Sequence, residues 1–215
     1  MHRRPLLSAL DAYAQTWAAG RVSYPDYRAQ EENETLRQLR SFVERQEHCF
    51  RRSCLEGHIT GSALVCNPAM DKVLLTLHAK LGKWLQLGGH IDEETQVELA
   101  ALREAQEESG LHDFHLLHLP TDFTQGPYPI PFDCDIHAIP SRPGEPEHLH
   151  YDVRYLLCTD DQQPLKISSE SKALRWLSLE QARELTSERS MQRQFDKLEA
   201  LKLYLSESPP ILTPR

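Results

Sequence analysis

The spacing of apolar residues changes from helical to alternating near His58. Before it, Leu6, Leu7, Leu10, Tyr13, Ala14 and Trp17 form one stripe, with Gly20 as a stop. Leu36, Leu39, Phe42 and Val43 form a second stripe within residues 27–46. Apolar positions three and four apart share a helix face, so two helices are predicted across residues 5–48. From His58 onward the chain reads as strands at 59–66 and 72–78 around an Asn67-Pro68 turn, then a short apolar stretch at 84–87 ending in Gly88-Gly89. Further strands are expected near 112–119, 132–139, 148–158 and 173–177, the middle two joined as a long hairpin through a loop at 142–146. Helices are predicted at 96–109, after a Ser178/Gln181 capping box, and at 189–205, where Met191, Phe195, Leu198, Leu201 and Leu205 make the stripe. Strands with helices inserted and appended define an α+β class.

At 215 residues the chain is one domain with added end elements. We divide it into a helical extension at 1–50, a main domain with C-terminal helices at 51–206, and a tail at 207–215. Lys and Arg number 24 against 32 Asp and Glu, a net charge of −8, which argues against a stable nucleic-acid partner. It leaves a negative substrate open, because a bound divalent cation inverts the local field. No apolar run approaches ~20 residues, so no membrane span is expected; on its cysteine pattern the chain is read as cytoplasmic. Five cysteines without a Cys-x-x-Cys pair fit reduced thiols; His48, Cys49, Cys54 and His58 are a weak zinc alternative.

The chemistry-bearing segment follows Gly88-Gly89. Asp92, Glu93, Glu94, Glu98, Glu104, Glu107 and Glu108 are accompanied by a single cation, Arg103. On a helix Glu104, Glu107 and Glu108 share an arc of roughly 80–100°. Like charges at this spacing repel, and they sit near the C-terminal end, where the helix dipole already disfavours anions. A divalent cation such as Mg²⁺ would offset that cost; a solvated acidic face is the alternative. Thr95 with Glu98 reads as an N-terminal capping box and Gly110 as the C-terminal cap.

Residues 89–111 resemble the Nudix box. Gly89, Arg103, Glu104, Glu107, Glu108, Gly110 and Leu111 fall in register. Ala105 takes an aliphatic position, and Thr95 stands where the family has its first Glu, with Glu94 one residue early. The likeness extends from about His58 to Leu185. It implies a Nudix-type α/β/α sandwich with a mixed sheet, here with an N-terminal helical extension and C-terminal helices. It also implies a hydrolase that cleaves a diphosphate joined to another moiety, using Mg²⁺ or Mn²⁺. By that resemblance Glu104, Glu107 and Glu108 would hold the metal, with the Gly88 carbonyl as a further ligand, and Arg103 would orient the carboxylates. Glu170, from beyond the box, is the candidate for one more acidic ligand.

The hairpin strands alternate. Asp133, Asp135 and His137 share one face of the first, and His148, His150, Asp152 and Arg154 one face of the second. Three readings stand for this polar face: solvated surface, a substrate-binding wall with Arg154 gripping phosphate, or a second metal site from His-x-His plus Asp. His90 is a further substrate-contact candidate, alongside His150, Asp135 and His137, whereas His58 reads as structural. The expected substrate is a small phosphorylated metabolite, either a nucleoside diphosphate linked to a sugar, ribose or alcohol, or a nucleoside triphosphate. The alternatives are a ligand-binding or regulatory module with little hydrolysis, and an isomerase acting on a diphosphate ester. The terminal helices offer a homodimer contact.

Overall fold

A computed structural model describes residues 3–18, 26–92, 96–118, 128–142, 144 and 146–207. The first elements are helix α1 (Arg4–Tyr13), a wide π turn (Ala14–Ala18) and helix α2 (Asp26–Arg45). Strands β1 (Gly57–Cys66), β2 (Lys72–His78), β3 (Trp84–Leu85) and β4 (Leu87–His90) lead into helix α3 (Val97–Ser109). Then come β5 (His115–Leu116), β6 (Asp133–Ile139), β7 (His148–Cys158), β8 (Ser171–Ser178), α4 (Leu179–Leu185) and α5 (Arg189–Glu207). The α+β expectation holds. The strand expected at 112–119 shrinks to β5, whose ladder with β7 is limited to His115↔Cys158 and Leu116↔Leu157; residue 119 lies outside the described residues.

The sheet is mixed and centred on β1, buried along its whole length. One edge of β1 runs parallel to β7 from Gly57↔Leu149 to Cys66↔Cys158. Its other edge is shared by two antiparallel partners, β4 over Thr60–Ala63 and β2 over Val65–Cys66. A parallel strand buried on both faces normally reads as a continuous apolar run. Here β1 instead carries His58, Thr60 and Ser62, all buried, and that exception locates the polar interior described below.

α3 lies close against β1 because Gly61 has no side chain: a β-carbon there would come within 2.8 Å of the Val97 carbonyl oxygen. Val97, Ala100, Ala101 and Ala105 form its buried side. Gly110, at φ 71°, ends the helix in the left-handed conformation, as its position in sequence indicates. The N-cap is Gln96, which makes no side-chain capping bond, so the helix starts later than the Thr95/Glu98 box implied. Thr95, Glu93 and Glu94 lie outside the described residues. The Ser178/Gln181 box is present, with both reciprocal bonds formed.

The N-terminal helices share the core of the sheet. Phe42 stacks on Tyr151 with ring centroids 3.8 Å apart, and Trp17 meets Phe132 edge-on at 5.8 Å. Leu6, Leu10, Tyr13, Leu39 and Val43 belong to the same apolar cluster as Ile59, Leu64 and Val153. No helix among the described residues is long and apolar enough to cross a membrane.

Candidate active site

Strand β4 and helix α3 carry the site. Gly88 and Gly89 pair with Ser62 and Gly61 of β1, and their α-carbons are approached from opposite sides. A β-carbon on Gly88, at φ 153°, would collide with the Ser62 side chain. One on Gly89 would come within 2.5 Å of Glu104 Oε1 and 2.6 Å of its carboxyl carbon. The glycine pair therefore leaves space that the Glu104 carboxylate fills.

Arg103 ties this cluster together. One guanidinium nitrogen donates to Glu104 Oε1 at 3.0 Å and to Glu107 Oε2 at 3.1 Å, and the other donates to the His90 carbonyl at 2.9 Å. One cation thus fixes two carboxylates and the strand end. Glu108 lies deeper, at 5% exposure, and its Oε2 is buried without a hydrogen-bond partner. Burial, with the Glu104 charge added, pushes its carboxyl pKa up to about 8 against a hydrogen bond from the Gly88 amide. Burial raises Glu104 as well, opposed by Arg103. Glu170 is exposed just before β8, and its charge is felt by both Glu104 and Glu108. The structure thus brings Arg103, Glu104, Glu107, Glu108, Gly88 and Glu170 to one locality.

This donor set fits a hard divalent cation. A buried carboxylate oxygen without a partner is costly, and a second carboxylate fills a cradle that no other residue type would leave open. Hard cations take such oxygens and tolerate water at their remaining positions.

The hairpin departs from the expectation of a substrate wall. Arg154 is 2% exposed, and its guanidinium donates to Asp152 at 2.7 Å, Asp133 at 2.9 Å and Asp135 at 3.2 Å. It is therefore not placed to grip phosphate. Asp135 is likewise engaged, accepting from Arg154 and from Arg193 of α5. Asp133 is fully buried and accepts from Arg154, Arg193 and Lys197, while Lys197 also pairs with Glu32 of α2 and donates to Tyr13 of α1. Thr60 and Ser62 hydroxyls donate to Asp152 at 2.9 and 2.7 Å. The face expected to be wet is thus an interior ion-pair layer that binds α1, α2 and α5 to the sheet. Sequence reading missed Arg193 and Lys197, though Gln194 and Lys197 beside the apolar stripe of α5 were a usable signal. The rings of His90, His137 and His150 gather with His58 and His148, with centroids 4.7–5.5 Å apart.

Comparison with known proteins agrees with this architecture. The NUDIX domain profile matches residues 58–198. A hydrolase of the NUDIX family from Clostridium perfringens is similar at 30% identity and a TM-score of 0.54, over 67% of this chain and 97% of that one. An Ap4A hydrolase from C. elegans is similar at 16% identity and a TM-score of 0.49, over 69% of this chain and 98% of that one. The dihydroneopterin triphosphate pyrophosphohydrolase of E. coli is similar at 16% identity and a TM-score of 0.48, over 66% of this chain and 94% of that one. Curated proteins give no significant match. The chain belongs to the Nudix hydrolase family.

Proposed function

We propose that this protein is a divalent-cation-dependent hydrolase of a diphosphate linkage. Its substrate would be a nucleoside diphosphate joined to a sugar, ribose or alcohol, or a nucleoside triphosphate. The observation that carries this reading is Glu108, a buried carboxylate with an unpartnered oxygen, set beside a Glu104 seated in the space over Gly89. Glu104, Glu107, Glu108 and Glu170, with the Gly88 carbonyl, would hold Mg²⁺ or Mn²⁺. Bound there, the cation would neutralise phosphate charge and lower the pKa of a coordinated water.

The protein's own residues supply positioning and proton handling. Arg103 holds Glu104 and Glu107 against the strand end, so their oxygens need little reorganisation. Carboxylate oxygens of the same cluster would accept the proton of the attacking water. The buried setting of Glu108 keeps competing bulk water away from that oxygen.

The test is a panel of nucleoside diphosphate conjugates and nucleoside triphosphates incubated with Mg²⁺ or Mn²⁺, with phosphate products followed by ³¹P NMR. Turnover of at least one member, abolished by a chelator, is expected. Tight binding of one member without turnover would overturn the proposal in favour of a ligand-binding module.

A further inference from the structure

Strand register stacks polar residues in rows across one sheet face. His58 of β1 lies level with His150 of β7, which lies level with His137 of β6. In the next row Thr60 is flanked by His90 of β4 on one side and Asp152 on the other. Side chains alternate along a strand, so His58, Thr60, His90 and His150 point to the same side. Gly89, one residue from His90, turns to the other side, where Glu104 meets it. The imidazoles are therefore separated from the carboxylate cluster by the sheet itself.

We propose that His58, His90 and His150 form a second metal site, taking a zinc-class divalent transition ion through three imidazole nitrogens. One nitrogen from each ring lies within 4.8 Å of one nitrogen from each of the others. A tetrahedral ion with bonds of about 2.0–2.1 Å holds its donors roughly 3.4 Å apart, so small ring rotations close the triangle. His58 is 2% exposed, and neither of its ring nitrogens has a hydrogen-bond partner; His150 Nε2 is buried and unpartnered too. Leaving a buried polar group unsatisfied is unfavourable, and coordination satisfies it.

The charge state suits the assignment. Burial, with the neighbouring imidazoles added, lowers the His58 pKa to about 4 and that of His150 to about 2. Both rings are therefore neutral at physiological pH, the form that offers a lone pair to a metal. Three imidazole nitrogens select zinc, cobalt, nickel or copper over Mg²⁺, which prefers oxygen. Three protein ligands leave a fourth position for water or an anionic oxygen. His90 and His150 are only half-buried, consistent with access from solvent. His90 also links the two centres, since its carbonyl accepts from Arg103.

Cobalt(II) and copper(II) are the probes, added to the full-length, chelator-treated protein. We expect one equivalent of Co²⁺ to give the intense visible bands of a low-coordinate nitrogen site, and Cu²⁺ to show ¹⁴N hyperfine structure from imidazole. His90→Ala and His150→Ala, checked for cooperative melting without metal, are each expected to weaken binding about 100-fold or more. The double variant Glu107→Gln/Glu108→Gln should retain the cobalt spectrum. A weak octahedral cobalt spectrum in the wild type would overturn the proposal, because the ion would then sit among carboxylates. Loss of the spectrum in the glutamine double variant, with retention in folded histidine variants, would overturn it equally. If the histidine variants fail to fold, the wild-type ¹⁴N signal decides, and its absence refutes the site.

Discussion

The carboxylate of Glu104 occupies the space that a side chain on Gly89 would need, with Oε1 2.5 Å from the position of a β-carbon there. That relationship joins β4 to α3 and sets the shape of the candidate site. Gly89→Ala would push Glu104 away and break its 3.0 Å bond to Arg103. We expect kcat to fall by about 100-fold, the scale of a misplaced catalytic group, while the melting temperature moves little. Unchanged kcat in this variant would contradict the proposed geometry.

Glu108→Gln removes a carboxyl group whose pKa is raised to about 8. In the metal-free protein that raised pKa costs stability between the unfolded value and about pH 8, the cost growing as pH rises. The glutamine variant should therefore be more stable than the wild type by about 3–5 kcal/mol at pH 8 without metal, and inactive. Urea denaturation in the presence of chelator measures this. A less stable variant would show that the carboxylate is not strained by burial.

Arg154→Met should destabilise the fold by about 3–5 kcal/mol, because it leaves Asp133, Asp135 and Asp152 without their shared cation. Thermal melting measures the loss. A stable variant with a raised KM would instead restore Arg154 to the substrate wall that the sequence suggested.

Asp133 and Asp135 set the acid limit of the fold. Burial alone would raise both carboxyls, but Arg193 and Lys197 at Asp133, and Arg154 and Arg193 at Asp135, hold them well below the ordinary range. A depressed folded pKa gives stability that is present above the unfolded value of about 3.9 and lost as pH falls through and below it. The urea midpoint should thus drop steadily from about pH 5 downward. Asp133→Asn, if folded, should flatten that slope. A midpoint independent of pH between 5 and 3 would contradict the ion-pair layer.

What could be read from sequence was what lies close along the chain. Gly88-Gly89, Arg103, Glu104, Glu107 and Glu108 sit on one strand and the helix that next follows it, so spacing alone places them near each other. The polar rows required the register between β1, β4, β6 and β7, and nothing local in the sequence specifies that register. His148, His150, Asp152 and Arg154 alternate as an exposed strand would, yet Arg193 and Lys197 arrive from α5 and enclose the acids. His58, read as structural when seen alone, becomes chemically significant only beside His90 and His150. The N-terminal helices were legible as helices. That Phe42 stacks on Tyr151, making them part of the core, was not.

Calorimetric titration of Mn²⁺ into metal-free wild type and Glu108→Gln, alongside turnover of the best substrate, tests the central claim most directly. Tight binding in the wild type, weakened about 100-fold in the variant together with loss of hydrolysis, is expected for a carboxylate-held catalytic cation. Equal Mn²⁺ affinity in the two proteins, or hydrolysis by the variant at the wild-type rate, would contradict it.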